Sequence, residues 1–201
     1  MINTIPDEIL DAANTLFAQR GYDGTSLQLI ADAVGIRKPS LLYHFSSKEV
    51  LRDAVLARVM EHWNDVLPSL LNAATGEHRF DALVGEMVAF FADDPSRARL
   101  LYREFLDRPA EMATRMHEFL SPWISILADY VRRGQAEGLL RPDVDAEAYV
   151  ANVIQMIVGG VATAHVFGVL NSGSSFDQQI KEITRTARTA LFIDNLEISH
   201  G

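Results

Sequence analysis

The chain has 201 residues, of which 48% are hydrophobic and 22% charged, with 12 Gly, 7 Pro and no Cys. That composition excludes collagen-like and wholly disordered chains, and with them disulfides, thiolate metal sites, iron–sulfur clusters and thiol catalysis. A formal net charge of −9 argues against coating nucleic acid or anionic membrane through a global positive field, so any such contact has to be local.

The first ten residues carry Asp7 and Glu8 and no base, unlike a secretory leader, and with the lack of Cys this points to the cytoplasm. A first helix is expected over residues 6–20, with Pro6 in its first turn, Asp7 and Glu8 at the positive dipole end and Gly21 ending it. Ile9, Ala13, Leu16 and Phe17 form its inward stripe. Thr25 followed three residues later by Gln28 reads as a capping box that opens a short helix over Leu27–Val34, which Gly35 closes in a left-handed conformation. Pro39 opens another short helix through Phe45, and Ser46 with Glu49 reads as a second capping box, starting a long helix to about Leu67.

Downstream, Gly76, Pro95, Pro109, Pro122, Gly138, Pro142 and Gly173 cut the chain into further amphipathic helices, with Pro122 either kinking one or separating two. Strand signals are nearly absent, so the expected fold is all-α with nine to ten helices. Residues 148–176 contain no Asp, Glu, Lys or Arg, a length sufficient to span a bilayer. Asn152, Gln155, Thr163 and His165 interrupt the stretch and Gly159-Gly160 weakens it, which favours a helix buried on most sides in protein and no membrane contact. Within a helix over 145–170, Gly160, Ala164 and Gly168 recur every four residues and leave a groove for a partner helix. Ser175 with Gln178 reads as a third capping box, and Phe176, Ile180, Ile183, Ala187 and Ala190 behind it follow a 4-3-4-3 spacing that makes an apolar seam. These last two helices, about 145–170 and 175–195, are the expected homodimer interface.

Two short helices around a glycine-containing turn, with a third ahead of them to cover their apolar face, have the layout of a helix-turn-helix. Charge sharpens the pattern: residues 1–32 set Arg20 against five carboxylates, net −4, whereas residues 36–52 set Arg37, Lys38, Lys48 and Arg52 against Glu49, net +3. Arg37 and Lys38 stand at the start of the second short helix, where side chains reach base edges in a major groove. Tyr43, His44 and Lys48 stand just beyond, where they can clamp phosphates, and Thr25 can cap its helix and touch phosphate together. The competing reading makes the cations solvated surface charges and Tyr43 half-buried core.

The string Gly24-Thr25-Ser26-Leu27-Gln28-Leu29-Ile30-Ala31-Asp32-Ala33-Val34-Gly35-Ile36-Arg37-Lys38-Pro39-Ser40-Leu41-Leu42-Tyr43-His44-Phe45-Ser46-Ser47-Lys48-Glu49-Val50-Leu51 closely resembles the DNA-binding module of TetR-family transcriptional regulators. The Thr, Ile-Ala, Ala-x-Gly, Tyr-x-Phe and Ser-Lys-Glu features stand in the family's order and spacing over about 45 residues. Leu42 departs from the aromatic that many members place there, and the acidic start lacks the basic arm that some members lay into the minor groove. The resemblance implies recognition by Arg37, Lys38, Pro39, Ser40, Tyr43 and His44 and phosphate contact by Thr25 and Lys48. The boundary is expected near Ser46, inside continuous helical sequence with no flexible linker, giving a helix-turn-helix domain over 1–46; the resemblance implies that 47–201 is a helical ligand-binding and dimerisation domain. The function expected is that of a ligand-responsive homodimeric repressor on a palindromic operator. An activator or ligand-independent DNA-binding protein, a helical enzyme and a small-molecule carrier are the alternatives.

Large flexible and aromatic side chains cluster in the body, where Trp63, Phe90, Tyr102, Phe105, Met116, Phe119, Trp123 and Met156 are candidates to line a pocket for an unidentified small-molecule effector. Asn152, Gln155, His117 or His165 would be polar anchors. For His165 itself, on an apolar helix, a hydrogen-bonded core position is expected before a ligating one. There is no phosphate-cradling Gly-rich loop, His-Glu-x-x-His or Gly-x-Ser-x-Gly, and the six His are scattered, so no catalytic residue, metal ligand or cofactor is assigned.

Overall fold

The computed structural model describes residues 4–73, 76–169 and 176–193. Among the described residues the fold is all-α: α1 (Ile5–Arg20), α2 (Leu27–Val34), α3 (Lys38–His44), α4 (Lys48–Ala73), α5 (Gly76–Asp93), α6 (Pro95–Asp107), α7 (Pro109–Ala136), α8 (Ala146–Phe167) and α9 (Phe176–Leu191). Their extended pairing is confined to one isolated bridge between Leu140 and Phe192.

α1 begins one residue before the expected start. Thr4 accepts from the Asp7 amide while the Asp7 carboxylate accepts from the Thr4 amide, so the capping box lies at a position the sequence reading passed over. Gly21 ends α1 at φ 74° and Gly35 ends α2 in the left-handed region at φ 77°, conformations that a side chain would strain. Ile9, Ala13 and Phe17 of α1 meet Ile30 and Leu41 in a closed core, with Leu16 at its edge.

Two caps fall one residue later than expected. α2 is capped by Ser26, whose Oγ accepts from the Leu29 amide at 3.1 Å, and α4 by Ser47, whose Oγ accepts from the Val50 amide at 3.1 Å. Thr25 and Ser46 therefore cap nothing: the helices begin late enough that the second hydroxyl of each pair is the one aimed at the free amides. α4 runs past Leu67 and through Pro68, and α7 is a single helix through Pro122. The predicted cap at Ser175 lies outside the described residues.

α6 joins the two ends of the molecule, packing most extensively on α1 and α8. Asn14 of α1 donates to Asp94 Oδ2 (3.0 Å) and Ser96 Oγ (2.7 Å) at the start of α6, and Asp94 caps that helix through the Ser96 amide. Arg103, two turns on, donates to Ala18 O (2.9 Å) and Gln19 O (3.2 Å), satisfying carbonyls at the end of α1 that have no helical partner. α4 holds α1 from another side, with Arg58 donating to Asp11 Oδ1 at 2.6 Å.

α8 is the described helix long and apolar enough to cross a membrane by length and composition. It is buried in its own chain along one face only, through Val153, Ile157, Val158, Val161 and Ala162, and not on most sides as the sequence led one to expect. The apolar seam of α9 is likewise taken within the chain. Ile180 and Ala187 are buried, and Ile183 seats over Gly160 so closely that a Cβ there would meet Ile183 Cδ1 at 2.5 Å. Tyr149 of α8 donates to Ala187 O at 2.6 Å, and Arg188 of α9 pairs with Asp81 of α5.

Candidate nucleic-acid interface and effector cavity

α3 has seven residues, anchored by Leu41, which is buried against α1 and α2. One anchor on so short a helix leaves the rest of it outside. Arg37 is the N-cap residue, Lys38 and Pro39 form the first turn, and Arg37, Lys38, Pro39, Ser40, Tyr43 and His44 are all exposed. Tyr43 is 86% exposed, which removes the reading of it as half-buried core, and the His44 ring lies edge-on to it at 5.2 Å. The tip thus presents two cations, a hydroxyl, a phenol and an imidazole on one short projecting element, a set that can donate to base edges and phosphates.

Two residues expected in this set do other work. Thr25 is 1% exposed; its Oγ1 donates to Gly21 O at 2.8 Å, with Leu16 O 3.2 Å away, so the hydroxyl ties the α1–α2 turn together and does not face a phosphate. Arg52, counted in the positive run, is 6% exposed and pairs with Glu111, Asp53 (3.2 Å) and Glu104 (3.9 Å). Burial opposes its charge, yet Glu104, Glu111 and Asp53 hold its pKa above the ordinary arginine value. Burial raises the Glu104 carboxyl against the pull of Arg52 and Arg108. Arg52 therefore belongs to a network joining α4, α6 and α7, and the outward positive charge comes from Arg37, Lys38 and Lys48.

Tyr22, in the α1–α2 turn, was not foreseen as a hub. Its ring stacks on Phe17 at 5.8 Å and carries Lys48 Nζ at 4.0 Å and the Arg108 guanidinium at 4.3 Å, while its hydroxyl donates to Glu49. Burial, then the bond to Glu49, pushes the phenol pKa up to about 12. Lys48 is thus held beside the tip by an aromatic face.

In the body, α4, α5, α6, α7 and α8 enclose a cavity of about 380 Å³. Trp63, Tyr102, Phe105, Met116, Trp123 and Gln155 line it as expected. Phe90, Phe119, Asn152 and Met156 do not. Phe90 stacks on His62 at 4.1 Å and supports Trp63 from behind, Asn152 is exposed, and Met156 borders a groove between α8 and α9. Phe119 packs on the core from a face of α7 that does not reach the cavity. Neither histidine offered as an anchor lines it: His117 is exposed beside Ser121, and His165 is exposed, not in the core. Leu120, Ile124 and Leu127 were missed although, with Met116 and Trp123, they recur at helical spacing along one face of α7. No Asp, Glu, Lys, Arg or His belongs to the described lining, which selects an uncharged, largely apolar occupant. Among the described residues no group of His, Asp and Glu could hold a metal ion.

Residues 9–55 match the family described as bacterial regulatory proteins, tetR family, and residues 77–190 match the tetracyclin repressor-like C-terminal domain. The chain belongs to the TetR family. It is 32% identical over 149 residues to the HTH-type transcriptional repressor KstR2 of Mycolicibacterium smegmatis, covering 70% of each chain. It is also 32% identical over 111 residues to the biofilm operon icaADBC HTH-type negative transcriptional regulator IcaR of Staphylococcus aureus, covering 55% of this chain and 59% of that one. Two solved structures share the TetR-family fold: a ketosteroid transcriptional regulator, KstR2, of Mycobacterium tuberculosis (TM-score 0.75, 19% identity, 96% of this chain and 98% of that one) and a transcriptional regulator from Saccharomonospora viridis in complex with choline (TM-score 0.73, 22% identity, 94% and 98%).

Proposed function

We propose that this TetR-family chain is a cytoplasmic, homodimeric transcriptional repressor that binds a palindromic DNA operator and releases it when an uncharged, apolar effector fills the cavity. The observation that carries the reading is the exposed α3 tip on a chain of net charge −9: its cations are gathered where a short helix can enter a groove. Residues 1–46 act as the reading module and 47–201 as the sensing and dimerising body. Arg37, Lys38, Pro39, Ser40, Tyr43 and His44 supply base and phosphate contacts, and Lys48 a phosphate contact. The relatives described as a repressor and a negative regulator support the sign of control.

A second copy would lie against the exposed side of α8 and α9, where Val166 and Phe167 stand in solvent and a groove of about 460 Å³ runs past Gly160 and Thr163. A two-fold pair there presents two α3 tips, which must stand roughly 34–36 Å apart to meet successive major grooves. The cavity wall includes Val59, Met60 and Trp63 of α4, the helix whose first turn carries Lys48. An occupant that fits only a shifted α4 changes the separation of the tips, and its preference for that state sets how far DNA is released.

The test is selection of genomic fragments by the purified chain, in the presence and absence of cell metabolites. Retention of fragments sharing an inverted repeat, with loss of retention as metabolites are added, is the result expected. Tighter retention with metabolites would make the protein a corepressor-dependent one. A strictly monomeric chain that retains no duplex even at low salt would overturn the reading.

A further inference from the structure

Tyr102 and Leu106 border the effector cavity on one side and a second cavity, also about 380 Å³, on the other. The second cavity lies where the end of α1 meets α6 and α8, and its polar lining is Gln19, Arg99, Arg103, Thr163 and His165. Among the described residues that line it are two guanidinium groups and no carboxylate. Among the described residues Arg99 has no hydrogen-bond or ion-pair partner, and its Nε is out of reach of solvent with no acceptor. Arg103 spends Nε and one Nη on Ala18 O and Gln19 O at the C-terminal end of α1, with no carboxylate paired to it among the described residues.

The two arginines are four residues apart on α6, so they face the same way and repel each other. Nearby, Arg52, Arg97, Arg108 and Arg115 have each found a carboxylate. Arg103 is exposed, so the cost falls on Arg99, whose buried Nε has no acceptor and would be satisfied by an anion drawn in by the two charges. The planar fork of a guanidinium matches the paired oxygens of a carboxylate or phosphate, and the Gln19 amide on α1 and the His165 ring on α8, both exposed, border the same cavity and can meet further oxygens. Thr163 contributes only lone pairs, because its hydroxyl proton goes to Gly159 O at 2.7 Å.

We propose that this cavity is an oxyanion site, distinct from the apolar effector cavity, that takes a small metabolite through its phosphate or carboxylate group. Bound there, the anion neutralises Arg99 and Arg103 and bridges α1 to α6 and α8. It therefore stabilises the docking of the reading module on the body, and only the folded chain offers the site.

The full-length protein is titrated with inorganic phosphate and, separately, with succinate, at constant ionic strength and pH against sodium chloride, following heat of binding and Tm. A saturable Tm increase above the chloride control with either probe is expected, and which probe gives it identifies the preferred oxyanion. Arg99→Gln and Arg103→Gln each weaken that binding about tenfold or more, Arg99→Lys weakens it less, and Arg141→Gln, at a surface arginine far from the cavity, leaves it unchanged. If Arg99→Gln fails to fold, Arg99→Lys and His165→Ala carry the comparison, both expected to weaken binding. No shift beyond chloride with either probe, or affinity unchanged in all the cavity variants, overturns the proposal.

Discussion

The reading module and the sensing body are both helical and both close around aromatic side chains, yet they differ in how completely they fill. Around α1, α2 and α3, Ile9, Ala13, Phe17, Ile30 and Leu41 are shut off from solvent, and the proposed DNA contacts all lie outside that core. Around α4, α6 and α7 the larger residues Trp63, Tyr102, Phe105 and Trp123 stop short of one another and leave room for an occupant. Side chains that interlock leave the module no internal space, whereas bulky ones that stop short of one another leave the body a gap. A regulator needs the first to present a fixed surface and the second to respond.

That contrast is open to measurement. Leu41→Ala should cost about 2–5 kcal/mol and lower Tm sharply, because the single anchor of α3 is lost, whereas Met116→Ala in the cavity wall should cost less than about 2 kcal/mol since that side chain already borders space. Equal losses by chemical denaturation would erase the distinction. Next in size, Arg37→Ala and Tyr43→Ala should each weaken operator binding by about 1–3 kcal/mol with Tm unchanged; a fall in Tm without loss of DNA binding would return these residues to a structural role.

The caps give a smaller effect that fixes register. Ser26→Ala should cost about 1 kcal/mol and Ser47→Ala a similar amount, while Ser46→Ala should be nearly silent; the reverse order would restore the cap at Ser46. Smallest is a pH effect in the body. Burial holds His62 below its ordinary pKa of 6.5, against a nearby Glu86, so the fold prefers the neutral ring. The unfolded chain then takes the proton first, and stability should decline as pH falls from about 6.5 through the lowered native value. His62→Phe, which keeps the stack on Phe90, should flatten that part of the Tm profile.

Much of the module was legible because local rules decide it: Gly21 ends α1, Gly35 ends α2 in the left-handed conformation, and the α3 residues named from spacing and charge are the ones outside. Where neighbouring hydroxyls compete, as at Thr25 and Ser26 or Ser46 and Ser47, a spacing rule cannot choose, since a start one residue later hands the cap to the second of the pair. Arg52 shows the same limit for charge. Its partners Glu104 and Glu111 lie more than fifty residues away, so a count over residues 36–52 sees only an unbalanced cation. The cavity was half legible for a related reason: composition announces bulky side chains, but which side of a helix faces the gap depends on how α4, α6 and α7 cross.

Tyr22 bears on how a signal can travel. With Glu49 bonded to its phenol and Lys48 resting on its ring, the opening turn of α4 is pinned to the corner between α1 and α2. The Arg108 guanidinium on the same ring, with Arg52 reaching Glu104 and Glu111, fastens that corner to α6 and α7 as well. Under the proposed function, a displacement at the cavity would reach the α3 tip through α6 and α7 as well as along α4.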